Sequence, residues 1–187
     1  MAIIFHEQTR VFHIYNNEVS YIMRIMENEQ LEQLYYGTKI HDKAEYVYLH
    51  ECEFRSMAAS SVPEPVTLAM HHVKQEYPVY GTGDYRSPAL SVIQENGSRI
   101  VDFKYVSHEI FSGKKTMHPL PATYVESESE AQTLEVTLHD SVINTDMILS
   151  YTIYEELPVI TRNVRFIHKG KEKIILDKAM SASVEFV

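Results

Sequence analysis

The sequence predicts an all-β fold, an antiparallel β-sandwich made of short strands. Three observations predict it. Apolar residues recur at every second position along run after run, the spacing of a strand that buries one face. Turn chemistry punctuates those runs, at Asn16-Asn17, Asn96-Gly97, Ser112-Gly113, Pro119 with Pro121, and Lys169-Gly170. No stretch carries a long amphipathic helical pattern, which leaves a sandwich or a barrel. Uneven strand lengths and one long interrupting loop favour the sandwich over a closed barrel. With 187 residues, 44% of them hydrophobic and 23% charged, the chain is one domain or a large part of one, and it can bury a core.

Taken in order, Val11 to Tyr15 and Val19 to Ile25 are β-favouring runs, and Val19, Tyr21, Met23 and Ile25 share one face. The intervening Asn16-Asn17 tolerates the left-handed conformation that a tight hairpin uses. Glu27 to Gln33 fits a helical turn, and Leu31 to Tyr36 reads equally well as a strand ending at Gly37. Val101 to Phe111 sets Val101, Phe103 and Tyr105 together. Thr133 to His139 alternates, with Leu134, Val136 and Leu138 inward and Glu135, Thr137 and His139 outward. Met147 to Tyr154 and Val159 to His168 alternate likewise, the second placing Ile160, Val164 and Phe166 on one face. Residues 173–187 form one long run or two short ones. Hairpins joining antiparallel strands are expected at Asn16-Asn17, Asn96-Gly97 and Lys169-Gly170. From Cys52 to Gln75 there is no clear strand, and Met57-Ala58-Ala59-Ser60-Ser61 offers little to bury. A loop of that length is functional or poorly ordered.

A net charge of −9 without a basic stripe argues against nucleic acid and anionic membranes as partners, and leaves neutral partners such as sugars open. One cysteine, Cys52, allows no internal disulfide and suits a reducing compartment. Met1 to Ile4 shows neither a basic n-region nor an apolar h-region, and no apolar stretch is long enough for a membrane span. A soluble cytoplasmic protein is the expectation. The adjacent His71-His72, with His50 and His118 elsewhere, lacks ligand spacing for a metal. Cys52 has no neighbouring base in sequence and reads as a structural thiol. Gly81-Thr82-Gly83 lacks the strand-to-helix context of a phosphate loop. Asn96-Gly97-Ser98 reads as a turn rather than a glycosylation site, and Glu126 to Glu130 as a solvated turn. No carboxylate pair is selected by spacing, so no catalytic residue, metal or cofactor is assigned.

Three stretches carry more than pattern. The first is Glu76-Tyr77-Pro78-Val79-Tyr80-Gly81-Thr82-Gly83-Asp84-Tyr85-Arg86-Ser87-Pro88-Ala89. The second is Asn96-Gly97-Ser98-Arg99-Ile100 followed by Leu120-Pro121-Ala122-Thr123-Tyr124-Val125-Glu126. The third is Tyr151-Thr152-Ile153-Tyr154 through Val159-Ile160-Thr161-Arg162, closing with Ala182-Ser183-Val184. In this order and spacing the chain, from Phe12 to Phe186, resembles the N-terminal domain of the bacterial α-galactosidases of glycoside hydrolase family 36.

The resemblance implies a galactose-mutarotase-like β-supersandwich, cut short here, ahead of a (β/α)8 barrel absent from this chain. That barrel would hold two aspartates that hydrolyse terminal α-galactosides, of the melibiose and raffinose type, with retention. It implies a homo-oligomeric parent, a tetramer, and an inactive fragment that packs against the barrel. It further implies that the loop after Cys52 reaches a neighbouring subunit's active site and offers an acidic side chain to galactose hydroxyls. The matching residue is Glu53, with Glu51 as the other candidate. Many relatives carry aspartate there and a basic residue farther along, whereas this chain has no Lys or Arg between Ser56 and Val73. An exposed surface carboxylate is the alternative reading of Glu53. A second reading of the whole chain is an independent carbohydrate-binding or assembly module. Asp84 and Arg86, two apart on an extended stretch, share a face and read as a rigid surface turn held by Arg86.

Overall fold

The computed structural model describes residues 1–51, 69–117 and 119–185. Among them every regular element except two short 3₁₀ turns is a strand. A first meander holds β1 (Ala2–His6), β2 (Val11–Tyr15), β3 (Val19–Ile25) and β4 (Leu31–Thr38) in that spatial order. A second holds β6 (Lys104–Ser112), β7 (Ala131–Asp140), β8 (Thr145–Tyr154) and β9 (Ile160–His168), again in chain order. A ribbon of β5 (Leu90–Gln94) with β10 (Ile174–Ala179) lies beside them, and these strands all pair antiparallel.

The alternation seen in the sequence becomes the core. Tyr21, Met23 and Ile25 from β3 meet Leu134, Val136 and Leu138 from β7 and Met147, Leu149, Tyr151 and Ile153 from β8 in one buried cluster. Leu90 and Val92 of the ribbon join it. The first sheet is also covered on its other face. Val11, Ile22 and Leu34 pack there under Tyr46, Ile40 and Leu49 of the segment that follows β4. Those strands are therefore apolar on both faces, which a period of two alone does not announce.

Several expectations need correction. Residues 27–30 form a turn rather than helix, with Glu29 at φ 67°. The Asn16-Asn17 turn exists, but neither residue takes a positive φ. Asn16 instead is buried and acts through its side chain. Its carbonyl oxygen accepts from the N–H groups of Glu18 (2.8 Å) and Val19 (3.0 Å), and its amide donates to the carbonyls of Tyr154 and Leu157 at 2.9 and 2.8 Å. The Asn96-Gly97 turn reverses the chain, with Gly97 at φ 83°, but the returning arm forms no strand. The Lys169-Gly170 turn does not make a hairpin either, because β10 leaves the sheet of β9 to pair with β5. β1 and β5 were not anticipated.

Candidate functional site

The residues flanking the long loop converge on the outer surface of the first sheet. On one side the chain leaves β4, forms the 3₁₀ turn Val47–Leu49 and reaches Glu51. On the other, Lys74 to Glu76 run beside the start of β4, where Gln33 N–H donates to Lys74 O (2.8 Å) and Glu76 N–H to Leu31 O (3.0 Å). Met70 and Val73 pack with Met26. This end of the Cys52 to Gln75 stretch thus packs against the strands. Cys52, Glu53 and the rest of the loop through residue 68 lie outside the described residues, as does His118.

Glu51 is described, and Lys74 Nζ donates to its Oε1 at 2.7 Å. Lys74 directly follows the stretch from Ser56 to Val73 that carries no Lys or Arg. The pair borders a cleft of about 370 Å3 that Tyr36 and Tyr48 also line. His50, the other histidine on this flank, hydrogen-bonds Glu32 at 2.6 Å, and Glu32 in turn accepts from Arg24 Nε at 2.6 Å. His71 and His72 sit with their rings 4.0 Å apart. No group of three potential metal ligands occurs among the described residues.

Asp84 and Arg86 do share a face, and the guanidinium does more than stiffen a turn. It donates to Asp84 Oδ2 (2.9 Å), to Val73 O (2.7 Å) and to Glu185 (2.9 Å), tying the loop's far flank to the C-terminal segment. Asp84 also accepts from Gln75 at 2.7 Å. Glycine is required nearby: Gly81 has φ 115° and Gly83 φ 87°.

Two buried clusters escaped the sequence reading. The first joins Glu76, Arg162, Tyr21 and Tyr151. Arg162 Nη2 lies 2.7 Å from Glu76 Oε1, Tyr151 donates to that oxygen at 2.8 Å, and Tyr21 donates to Oε2 at 2.5 Å. The cluster links β3 of one sheet to β8 and β9 of the other. Burial raises the Glu76 carboxyl, opposed by Arg162 and the two tyrosines. Burial also lowers Arg162, but Glu76 and the surrounding phenols outweigh it and hold the guanidinium above its ordinary value. A signal was present: Arg162 occupies an inward position between Ile160 and Val164, where a charge demands a partner.

The second cluster has the geometry of a nucleophile, a base and an orienting carboxylate. Ser20 Oγ is 3.0 Å from His13 Nε2, and His13 Nδ1 is 2.8 Å from Asp42 Oδ1. Burial keeps His13 below its ordinary pKa, in keeping with a neutral ring that accepts from the serine hydroxyl. Yet Ser20 and His13 are both 0% exposed, and Ser20 Oγ also accepts the Ile40 N–H at 3.0 Å. No substrate reaches it. With Tyr46, whose hydroxyl lies 3.0 Å from His13 Nδ1, the cluster pins the segment after β4 onto the first sheet.

Comparison with known proteins decides the family. The family model for the glycosyl hydrolase family 36 N-terminal domain matches residues 29–187. The chain belongs to this family. As a glycosyl hydrolase family 36 N-terminal domain, it is 39% identical over 186 residues to alpha-galactosidase AgaA of Geobacillus stearothermophilus, covering 100% of this chain and 25% of that protein. The crystal structure of the alpha-galactosidase AgaB from the same organism superposes with a TM-score of 0.89 at 39% identity, covering 97% of this chain and 24% of AgaB. A structure of an AgaA variant in complex with raffinose superposes with a TM-score of 0.85 at 38% identity, covering 92% of this chain and 24% of that one. The family 36 domain described here therefore spans about a quarter of the length of its relatives. Its antiparallel, all-β sandwich is the fold of those N-terminal domains.

Proposed function

We propose that this domain serves a retaining α-galactosidase acting on terminal α-galactosides such as melibiose and raffinose. A downstream barrel would supply the catalytic carboxylates. The supporting observation is the match along essentially the whole chain to one quarter of an α-galactosidase. The domain's own chemistry agrees, because the serine and histidine of its nucleophile-like cluster, Ser20 and His13, are buried. Its roles are then to pack against the barrel and to build the oligomer. Glu53 is the side chain that reaches a neighbouring subunit's galactose hydroxyls. Glu51 is paired with Lys74. A cytoplasmic location accords with a single cysteine.

The test compares two proteins. The 187-residue chain should release no p-nitrophenol from p-nitrophenyl α-galactoside, and the chain continued through a barrel should release it. Turnover that tracks the purified short chain overturns the reading. In the assembled enzyme, Glu53→Ala should lower kcat/KM about ten- to a hundredfold through the lost charge-assisted hydrogen bond. Unchanged kcat/KM would leave Glu53 a surface residue.

A further inference from the structure

The outward face of the second meander carries a pocket of about 310 Å3, well apart in sequence from the loop after Cys52. Its floor is a rank of polar side chains set by strand register. Glu135 of β7 stands opposite Ser150 of β8, and Ser150 opposite Asn163 of β9. Arg165 follows Asn163 on the same face and lines the pocket too. Directly paired positions hold Cβ atoms about 5 Å apart. The roof is the segment after β6, from which Met117 and Leu120 face the pocket, Leu120 being 62% exposed.

The roof is fastened at both ends. Thr133 Oγ1 donates to Gly113 O at 2.7 Å, and Thr123 Oγ1 meets the Tyr154 hydroxyl at 2.5 Å. Lys114 Nζ donates to Thr123 O at 3.0 Å, and Lys115 pairs with Glu135 at 2.7 Å. The pocket is therefore held open by bonds that do not involve its free groups. Those free groups are specific. The side chains of Ser150, Asn163 and Arg165 have no hydrogen-bond or ion-pair partner among the described residues. Ser150 is only 6% exposed, so its hydroxyl opens on this pocket or on nothing.

We propose that this pocket is a saccharide-binding site, distinct from the catalytic reading above and resting on none of it. A hydroxyl, an amide and a guanidinium side by side match the donors and acceptors of vicinal sugar hydroxyls. Met117 and Leu120 offer an apolar surface to the C–H face of the ring. Charge does not decide the ligand, since Arg165 and Lys114 leave the lining net positive; the neutral hydroxyl and amide pair of Ser150 and Asn163 points to a sugar, and inorganic phosphate is the control. Lys115 is neutralised by Glu135, on the floor beside Ser150.

The test is a titration of the 187-residue chain with melibiose, read by amide chemical shifts. Saturable shifts centred on Ser150, Asn163 and the Gly113 to Leu120 segment are expected, in the millimolar range. Asn163→Ala and Arg165→Gln should each weaken binding about tenfold, the effect of one lost hydrogen bond. Their remaining spectra should be unchanged, since both side chains lie on the surface of a formed sheet. Lys171→Ala, on the distant turn before β10, should bind like the parent chain. Three results overturn the proposal: no saturable shift up to about 100 mM, far beyond the range of weak specific sites; shifts centred elsewhere or retained in both variants; or shifts produced by inorganic phosphate and not by melibiose, which would make this an anion site.

Discussion

Arg162 is the charged residue through which β9 reaches the buried Glu76 between the two sheets. It projects inward from β9 and meets Glu76, a carboxylate with no exposure, while Tyr21 and Tyr151 complete the carboxylate's hydrogen bonds. Removing one partner of such a pair strands the other charge in an apolar interior. Arg162→Met should therefore cost about 3–5 kcal/mol, a large share of an ordinary domain's stability. The double variant Arg162→Met with Glu76→Gln should recover much of that loss, because the stranded charge is gone. Urea unfolding of the three proteins checks this, and a double variant no more stable than Arg162→Met would refute it. The pairing is not legible from local pattern. Arg162 breaks the inward apolar face of its strand, yet its partner lies 86 positions away by number and is delivered by the segment that follows the long loop.

Elements here are shaped by short connections as much as by strands. Gly81 and Gly97 both need positive φ, at 115° and 83°, and both lie in motifs visible in the sequence. Their surroundings differ. A Cβ at Gly81 would stand 2.6 Å from Ile100 Cγ2 and 3.0 Å from Ile100 Cα, whereas one at Gly97 would meet nothing within 4 Å. Gly97→Ala should pay only the left-handed backbone cost, roughly 1–2 kcal/mol. Gly81→Ala should cost more, since Ile100 and the Val101 N–H bonded to Tyr80 O must also shift. Thermal unfolding ranks the two, and equal Tm losses would mean that the Ile100 contact relaxes freely. The same scale explains the missed pairing of β10. Lys169-Gly170 has the composition of a hairpin turn, but turn residues report only that the chain reverses. Which strand β10 joins is decided by Leu90 and Val92 of β5, already in the core.

At the scale of the whole molecule, buried and bonded titratable groups give stability a pH dependence with a definite sign. Burial lowers His13 and His108 below their ordinary value of 6.5 in the folded chain. The unfolded chain therefore takes up protons first, and stability falls as pH drops below about 6.5. Two carboxylates act lower. Burial alone would raise Asp42, but hydrogen bonds from His6 and His13 outweigh it and hold it below its ordinary 3.8. Lys169, with His139, outweighs burial at Asp146 and does the same. Their contributions are present above that value and are lost as pH falls through the folded ones. The urea midpoint should thus be flat near neutrality, decline gently below about 6.5 and drop further below about pH 4 as Asp42 and Asp146 take up protons, while Glu76, raised by burial, works in the opposite sense on the way down. His13→Asn should flatten the gentle arm. A midpoint that rises between about pH 7 and 5.5 would contradict this assignment.

By itself the sequence determined the fold class, the bounds of β2 and β3, and the inward faces of β3, β7 and β8, because which side chains share a face of a strand is written residue by residue. Its ordered motifs also pointed to the family, which the comparison over residues 29–187 established. Tertiary structure alone decided the rest: the two-sided burial of the first sheet, the β5–β10 ribbon, the Glu76–Arg162 pair and the polar rank of Glu135, Ser150 and Asn163. Each of these joins residues far apart along the chain. Local periodicity tells which way a side chain points from its strand, whereas register and packing decide what it meets there.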